Sequence, residues 1–351
     1  MTGKRPSAAT LVAWQRTHGR HALPWQRTRD PYRVWLSEIM LQQTQVATVL
    51  GYYERFLLRF PDVRSLAAAP QDEVLALWSG LGYYSRARNL HACARAVIEH
   101  HGGSFPNSSA ALAKLPGIGR STAAAIAAFC FGERTAILDG NVKRVLTRAL
   151  GFGDDLAEAA HERRLWQHAE ALLPKTGIEA YTQGLMDLGA TVCTVRRPAC
   201  DACPWSNCCV ARAEGRPEAY PVKTRKLKRG RRENSLLLLT SGAQLWLVQR
   251  PAPGVWAGLW SLPEFTGDEA VQAFAAQGPG RIEALPHVHH VLTHFDWQLK
   301  PWHWQLPPRT AAATRQRIES ALPGDGRWFA RDEALAAGLP APVRRLIDQL
   351  A

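Results

Sequence analysis

Two carboxylates and a knot of cysteines are the residues of this chain whose types and spacing could do chemistry. Glu38 lies in Leu36-Ser37-Glu38-Ile39-Met40-Leu41-Gln42-Gln43-Thr44-Gln45, and Asp139 in Ile137-Leu138-Asp139-Gly140-Asn141-Val142-Lys143-Arg144. Two carboxyl groups in different environments can supply a proton donor and a stabilising anion to one reaction. Each also has an ordinary reading. Glu38 shares a polar helix face with Gln42 and Gln45. Asp139 stands where a helix N-cap would stand, because Val142, Val145, Leu146, Ala149 and Leu150 follow at helical spacing. Cys193, Cys200, Cys203 and Cys209, with six, two and five residues between them, can hold an iron–sulfur cluster or a structural zinc. Zinc loops usually present two close pairs; only Cys200 and Cys203 form one, so the spacing favours the cluster. Cys208 is the odd neighbour and is not expected to ligate, and Cys93 and Cys130 sit on apolar helical patterns as small hydrophobes.

The elements that must position these groups differ between the two parts of the chain. From Trp14 to about Gly151 the pattern is helical with short punctuation. One helix is expected to run from Pro31 past Glu38 to Leu50, with Ile39, Val46 and Leu50 on its apolar face. Gly80-Leu81-Gly82 breaks the next pattern before Tyr83-Tyr84-Ser85-Arg86, where rings and guanidinium groups could stack on bases and bind phosphates. Leu115-Pro116-Gly117-Ile118-Gly119 forms a tight turn ahead of an Ala-rich helix ending near Gly132, and such a turn presents backbone N–H groups to a phosphate. Helical periodicity resumes over 155–192. After Ser235 the period becomes alternating. Leu236–Leu239 and Leu245–Val248 read as a hairpin about Ser241-Gly242, with further strands at Trp260–Leu262, His287–Leu292 and Phe295–Trp304, and helices at Asp268–Ala276 and Val343–Leu350. His287, His289, His290 and His294 lie close together without carboxylate or cysteine company, and a strand with polar positions is the preferred reading.

The sequence of 351 residues is long enough for two domains, and its 43 lysines and arginines against 30 acidic residues, a net charge of +13, point to a polyanionic partner. Arg212–Arg232 alone holds nine basic residues against two glutamates, which marks a basic linker over 212–234 between residues 1–211 and 235–351. No apolar run approaches a membrane span, and the amino terminus has no apolar signal core, so a cytoplasmic protein with no membrane partner is expected, nucleoid-associated in a bacterium. Five of seven cysteines crowd into 193–209, which fits metal ligation in a reducing compartment.

Taken together, the glycine turn, the aspartate beyond it and the cysteine loop resemble the helix-hairpin-helix DNA glycosylases of the endonuclease III superfamily. The Glu38 stretch, Gly80-Leu81-Gly82-Tyr83-Tyr84-Ser85-Arg86 and the Asp139 stretch narrow the resemblance to the MutY-type adenine DNA glycosylases, and it covers nearly the whole chain. It implies a mostly α glycosylase fold of two helical subdomains with one [4Fe–4S] cluster on Cys193, Cys200, Cys203 and Cys209, joined to an α+β, Nudix-like domain. The activity implied is removal of adenine mispaired with 8-oxoguanine or guanine in double-stranded DNA, by a monomer. Glu38 is then the general acid, Asp139 the carboxylate that stabilises the developing sugar cation, and Asn141 a hydrogen-bonding member of the site. Gln43 resembles the wedge that fills the vacated stack, Leu41 a wall of the adenine pocket, and Tyr83 the aromatic inserted beside the lesion. Gly117 and Gly119 would offer amides to the phosphate, as Arg196 and Arg197 would by charge.

Ser121 stands where the bifunctional branch carries a Schiff-base lysine, which implies a monofunctional enzyme. In the second domain Gly254–Pro263 resembles the approach to a Nudix box, but the metal-binding Arg-Glu-x-x-Glu-Glu run is missing, so reading of 8-oxoguanine rather than phosphohydrolysis is implied. Leu292-Thr293-His294 takes the place of the family's Phe-Ser-His lesion loop: Thr293 keeps the hydroxyl and leucine replaces the ring.

Overall fold

The computed structural model describes residues 5–224 and 229–350. It divides into two compact units, and the division does not follow chain order: Met1–Tyr53, Leu57–Ala67 and Ala92–Lys226 form the first, Glu54–Phe56, Ala68–His91 and Leu227–Ala351 the second. Arg225–Lys228 of the basic linker lie outside the described residues. No helix among the described residues is long and apolar enough to cross a membrane.

The first unit is helical. Asp30 caps the helix Pro31–Leu41, its Oδ1 accepting the Tyr32 N–H at 2.9 Å, with Pro31 in the first turn where no donor is needed. The single helix expected from Pro31 to Leu50 is instead two, because a break after Leu41 precedes a second helix, Val46–Arg59. The physical reason lies in Gln42-Gln43-Thr44-Gln45, four polar residues with nothing to bury, where Thr44 folds back so that its N–H meets the Leu41 carbonyl at 3.3 Å. Gln43 there adopts a left-handed backbone, φ 56°.

The Glu38 helix packs on Arg120–Phe131, whose run of buried residues from Ala123 to Ala128 lets the neighbours approach closely. Gly132, φ 70°, ends that helix as expected, returning its N–H to the Ala128 carbonyl. The next helix, Gly140–Leu150, buries Val142, Val145, Leu146 and Ala149 in a core shared with Leu165, Trp166, Leu185 and Leu188. Cys93 is fully buried; Cys130 is only half-buried, although burial still pushes its thiol up to about 12.

The second unit is built on eight strands: β1 Gly230–Ser241, β2 Gln244–Gln249, β3 Trp260–Ser261, β4 Glu264–Phe265, β5 Arg281–Ala284, β6 Val288–Val291, β7 Phe295–Leu306 and β8 Gly326–Ala330. Their path is β3-β2-β1-β7-β5, with β4 on β1, β6 on β7 and β8 on β2. The hairpin about Ser241-Gly242 is present, and β1 also runs parallel to β7 along its whole length. β1 begins at Gly230, inside the stretch read as linker, because its polar first residues are paired by β7 rather than by burial. Strands β5 and β8 and the helices Ala312–Ala321 and Arg331–Ala336 were not anticipated. Leu237, Leu239, Trp304 and Leu306 pack on one face under Val271, Ala275, Ile318 and Leu322, while Leu236 and Leu238 are buried on the other.

Ala68–His91 belongs to this second unit through specific bonds. Asp72 accepts from Gln249 Nε2 at 3.1 Å and from Trp260 Nε1 at 3.3 Å, and Arg88 Nη1 donates to the Ala257 carbonyl at 2.8 Å.

Candidate active site and cysteine centre

The Asp139 carboxylate is the N-cap of Gly140–Leu150: its Oδ1 accepts the Val142 N–H at 2.7 Å. Such a cap turns the carboxylate toward the positive end of the helix. The backbone before it is held by the very residue that departs from the lysine pattern, because Ser121 Oγ accepts the Leu138 N–H at 3.0 Å. From the Glu38 helix, Gln42 Nε2 reaches Thr122 Oγ1 at 3.4 Å, tying its end to the start of the same Ala-rich helix. Glu38 and Asp139, far apart in sequence, are thereby both tied to the Arg120–Phe131 helix, near enough that the charge of Asp139 bears on the Glu38 carboxyl.

Their electrostatics differ. Burial, and behind it the charge of Asp139, pushes the Glu38 carboxyl up to about 8. Burial also raises Asp139 above the ordinary carboxylate range, but the Val142 and Asn141 amides and the Arg144 and Lys143 charges pull against it. The Asp139 charge is among the causes that raise Glu38, so Asp139 gives up its proton before Glu38 does, the ordering that acid-assisted bond cleavage needs.

Asn141 faces Arg144, whose Nη2 donates to its Oδ1 at 2.8 Å and to the Gly189 carbonyl at 2.6 Å, while Arg144 Nε donates to the Cys193 carbonyl at 2.7 Å. One turn on, the buried Arg148 donates to the carbonyls of Thr194 at 2.6 Å and Val195 at 3.0 Å, and to Cys193 Sγ at 3.4 Å. These two arginines were missed as site residues. Their signal was a pair of charges four residues apart within the buried stripe of a helix, where a cation survives only if its donors are met.

Gly189 lies in a π-helical turn, Leu188–Val192, that leads to Cys193. A Cβ there would stand 2.7 Å from Asn141 Cβ. Gly189→Ala is expected to destabilise the first unit by about 1–3 kcal/mol, through overpacking at the start of the Asp139 helix. Denaturant midpoints with an unchanged m-value would check this.

Cys193, Cys200, Cys203 and Cys209 line one pocket together with Arg148, Pro198 and Arg212. Cys208 does not line it; its thiol turns to the Trp205 carbonyl. Among the described residues no three His, Cys, Asp or Glu side chains converge as a single-ion site. Burial raises the Cys203 thiol to about 12 and Cys209 in the same direction, so a bound cation would be needed to hold them as thiolates. The donor set, four soft sulfurs lining one pocket, fits a cluster.

The remaining expected residues are dispersed. Leu41 is half-buried at the end of the Glu38 helix, and Gln43 is exposed beside it. Gly117, φ 74°, and Gly119, the N-cap of Arg120–Phe131, are both exposed at the hairpin turn. Arg196 and Arg197 are exposed in the cysteine loop, Arg197 at φ 48° with its N–H on Glu218 Oε1 at 2.8 Å. Lys143 is paired with Glu162 at 2.8 Å. In the second unit Tyr83, 45% exposed, shares a hydrogen bond of 3.0 Å with Thr293 Oγ1, and His294 is exposed beside it.

Comparison with known proteins agrees with this architecture. Residues 36–171 match the HhH-GPD superfamily of base excision DNA repair proteins, and residues 235–349 match the NUDIX domain. An adenine DNA glycosylase of Buchnera aphidicola subsp. Acyrthosiphon pisum is 33% identical over 96% of this chain and 95% of its own length. The adenine DNA glycosylase of Homo sapiens is also 33% identical, over 96% of this chain and 72% of its own. Among solved structures, a thermostable thymine-DNA glycosylase superposes on 59% of this chain and 95% of its own, with a TM-score of 0.53 and 31% identity.

Proposed function

Because the chain belongs to the adenine DNA glycosylase family, we propose that it hydrolyses adenine from duplex DNA where adenine is mispaired with 8-oxoguanine or guanine, Glu38 acting as general acid and Asp139 as stabilising anion. What supports this reading is the carboxyl pair itself: Glu38 is raised by burial and by the charge of Asp139, while Asp139 caps a helix among amides and cations that oppose its own elevation. The adenine must leave the stack, at a cost of a few kcal/mol recovered in pocket contacts. Glu38 then gives its proton to the departing base at N7. The glycosidic bond breaks with its electron pair going to adenine, Asp139 stabilises the positive sugar, and water adds at the anomeric carbon, its released proton returning to the Glu38 carboxylate. Asn141 steadies Asp139 from the same helix end.

Ser121 supports a monofunctional reaction. Its hydroxyl is engaged with Leu138, no lysine takes its place in the turn, and Lys143 is engaged by Glu162. Leu41 and Gln43 at the Glu38 helix end form the pocket wall and the wedge. Gly117, Gly119, Arg196 and Arg197 contact phosphates. Tyr83, Thr293 and His294 read the base opposite. The enzyme acts as a cytoplasmic monomer, on the nucleoid in a bacterium.

The test is adenine release from duplexes holding adenine opposite 8-oxoguanine, guanine or thymine. Release is expected to be fastest opposite 8-oxoguanine and slower opposite guanine, with little covalent capture by borohydride. Efficient capture on DNA with oxidised pyrimidines would overturn the reading.

Cys193, Cys200, Cys203 and Cys209 would hold the [4Fe–4S] cluster, whose contribution when bound is to brace the loop that presents Arg196 and Arg197. Purified protein is expected to absorb visible light and to carry iron. Cys200→Ser should lower iron content and duplex affinity, whereas Cys208→Ser should leave both unchanged; a colourless zinc protein would contradict the assignment.

A further inference from the structure

Tyr83 is a non-glycine residue in a left-handed backbone, φ 47°, directly after Gly82 and three residues past Gly80, themselves at φ 73° and 100°. A bulky residue keeps such a conformation only where its surroundings over-determine it. From its own segment the turn is held by Arg86, 8% exposed, whose Nη2 donates to the carbonyls of Leu81 at 3.2 Å and Gly82 at 3.1 Å. The Arg86 guanidinium lies 5.6 Å from the Tyr83 ring and 5.3 Å from the Trp78 ring, and Trp78 Nε1 adds a bond to the Gly82 carbonyl at 3.1 Å.

The other side of the turn is held by residues that follow it by about two hundred and sixty positions. The Leu339 carbonyl accepts from Ser79 Oγ at 3.0 Å and from the Tyr84 hydroxyl at 3.1 Å, and that hydroxyl in turn accepts the Gly80 N–H at 3.3 Å. Arg344 fixes this carbonyl's segment. It donates to the carbonyls of Leu335 at 2.6 Å and Ala337 at 3.2 Å, and its Nη2 reaches Ser79 Oγ at 3.4 Å. Gly338 admits the close approach, since a Cβ there would stand 3.1 Å from Leu75 Cβ and 3.2–3.3 Å from the adjoining backbone.

We propose that the Leu339 carbonyl and Arg344, acting through Ser79 and Tyr84, are positioning elements that set the Tyr83 turn and thereby the discrimination between bases opposite the adenine. The proposal rests on the reading of Tyr83 given above. The fold of the second unit then contributes to specificity at a distance as well as through Thr293 and His294. Neither Arg344 nor Tyr84 needs to touch DNA for this.

The test compares single-turnover release, at saturating enzyme and as a function of enzyme concentration, on duplexes with adenine opposite 8-oxoguanine and opposite guanine. Full-length Tyr84→Phe, which removes one hydroxyl and keeps the ring, and Arg344→Ala are each expected to reduce the preference for 8-oxoguanine about three- to tenfold. Saturated release opposite guanine should stay within about twofold of the parent. An equal slowing on both duplexes, or an unchanged preference, would overturn the proposal. Tyr83→Ala separates the two levels. If it leaves the preference intact, the reading of Tyr83 fails and the proposal with it. If it abolishes the preference while Tyr84→Phe and Arg344→Ala do not alter it, the positioning role alone fails.

Discussion

Glu38→Gln is expected to slow base release at neutral pH by about a thousandfold while duplex binding changes only a few-fold. The amide keeps the shape of the carboxyl group and removes its transferable proton, and a positioned general acid contributes about 10²–10⁴ in rate. In the parent, a carboxyl held up to about 8 makes release fall as pH rises through that value, because the ionised form has no proton to give. The variant should lack this alkaline limb. Its stability should move the opposite way. With the folded carboxyl near 8 and the unfolded one near its ordinary 4.5, the native state is fully favoured below 4.5 and loses that advantage as pH rises to 8. Glutamine removes the buried charge, so a gain of about 1–3 kcal/mol at pH 8 is expected, discounted because Glu38 retains contact with solvent, and none near pH 4. Urea midpoints at the two pH values check the sign; a variant no more stable than its parent at pH 8 would refute the elevated carboxyl.

Asp139→Asn separates the two readings that the sequence left open for this residue. Asparagine caps a helix as well as aspartate does, so the melting temperature should hold within a degree or two if the cap is all that matters to the fold. Release should nevertheless fall by about 10²–10³, because the amide cannot match an anion beside a developing cation. A second consequence follows from the coupling of the pair. Losing the Asp139 charge removes the smaller of the two causes that elevate Glu38, so the residual alkaline limb should move to lower pH by less than half of the elevation. A variant as active as its parent would return Asp139 to the role of a cap.

Much of the architecture was legible because it rests on local signals. The Asp139 cap, the Gly132 stop, the hairpin about Ser241-Gly242 and the switch from helical to alternating period are written in neighbouring residues. The break at Gln42 was not, because an apolar pattern that resumes in phase at Val46 hides a turn whose only mark is a run of polar residues. Strands β5 and β8 carry little apolar alternation, and their partners lie far along the chain, so nothing local announces them. At the site, Glu38 and Asp139 were singled out from resemblance and from chemistry together. Arg144 and Arg148 were passed over because their meaning comes from carbonyls fifty residues away. Ser121 was noticed for the lysine it is not; its bond to Leu138 gives it a task of its own.

The membership of Ala68–His91 in the second unit bears on how the chain can be taken apart. A protein shortened at the basic linker would keep Leu75 and Trp78, both fully buried in the intact chain, and lose the Gly338 and Leu339 backbone against which this segment lies. The complementary fragment would lack Asp72, Tyr84 and Arg88 and the bonds they make to it. The two units are therefore interleaved rather than modular. A graft that exchanges the second unit between relatives has to carry Ala68–His91 along, or it transfers a sheet without the helix and turn that complete it.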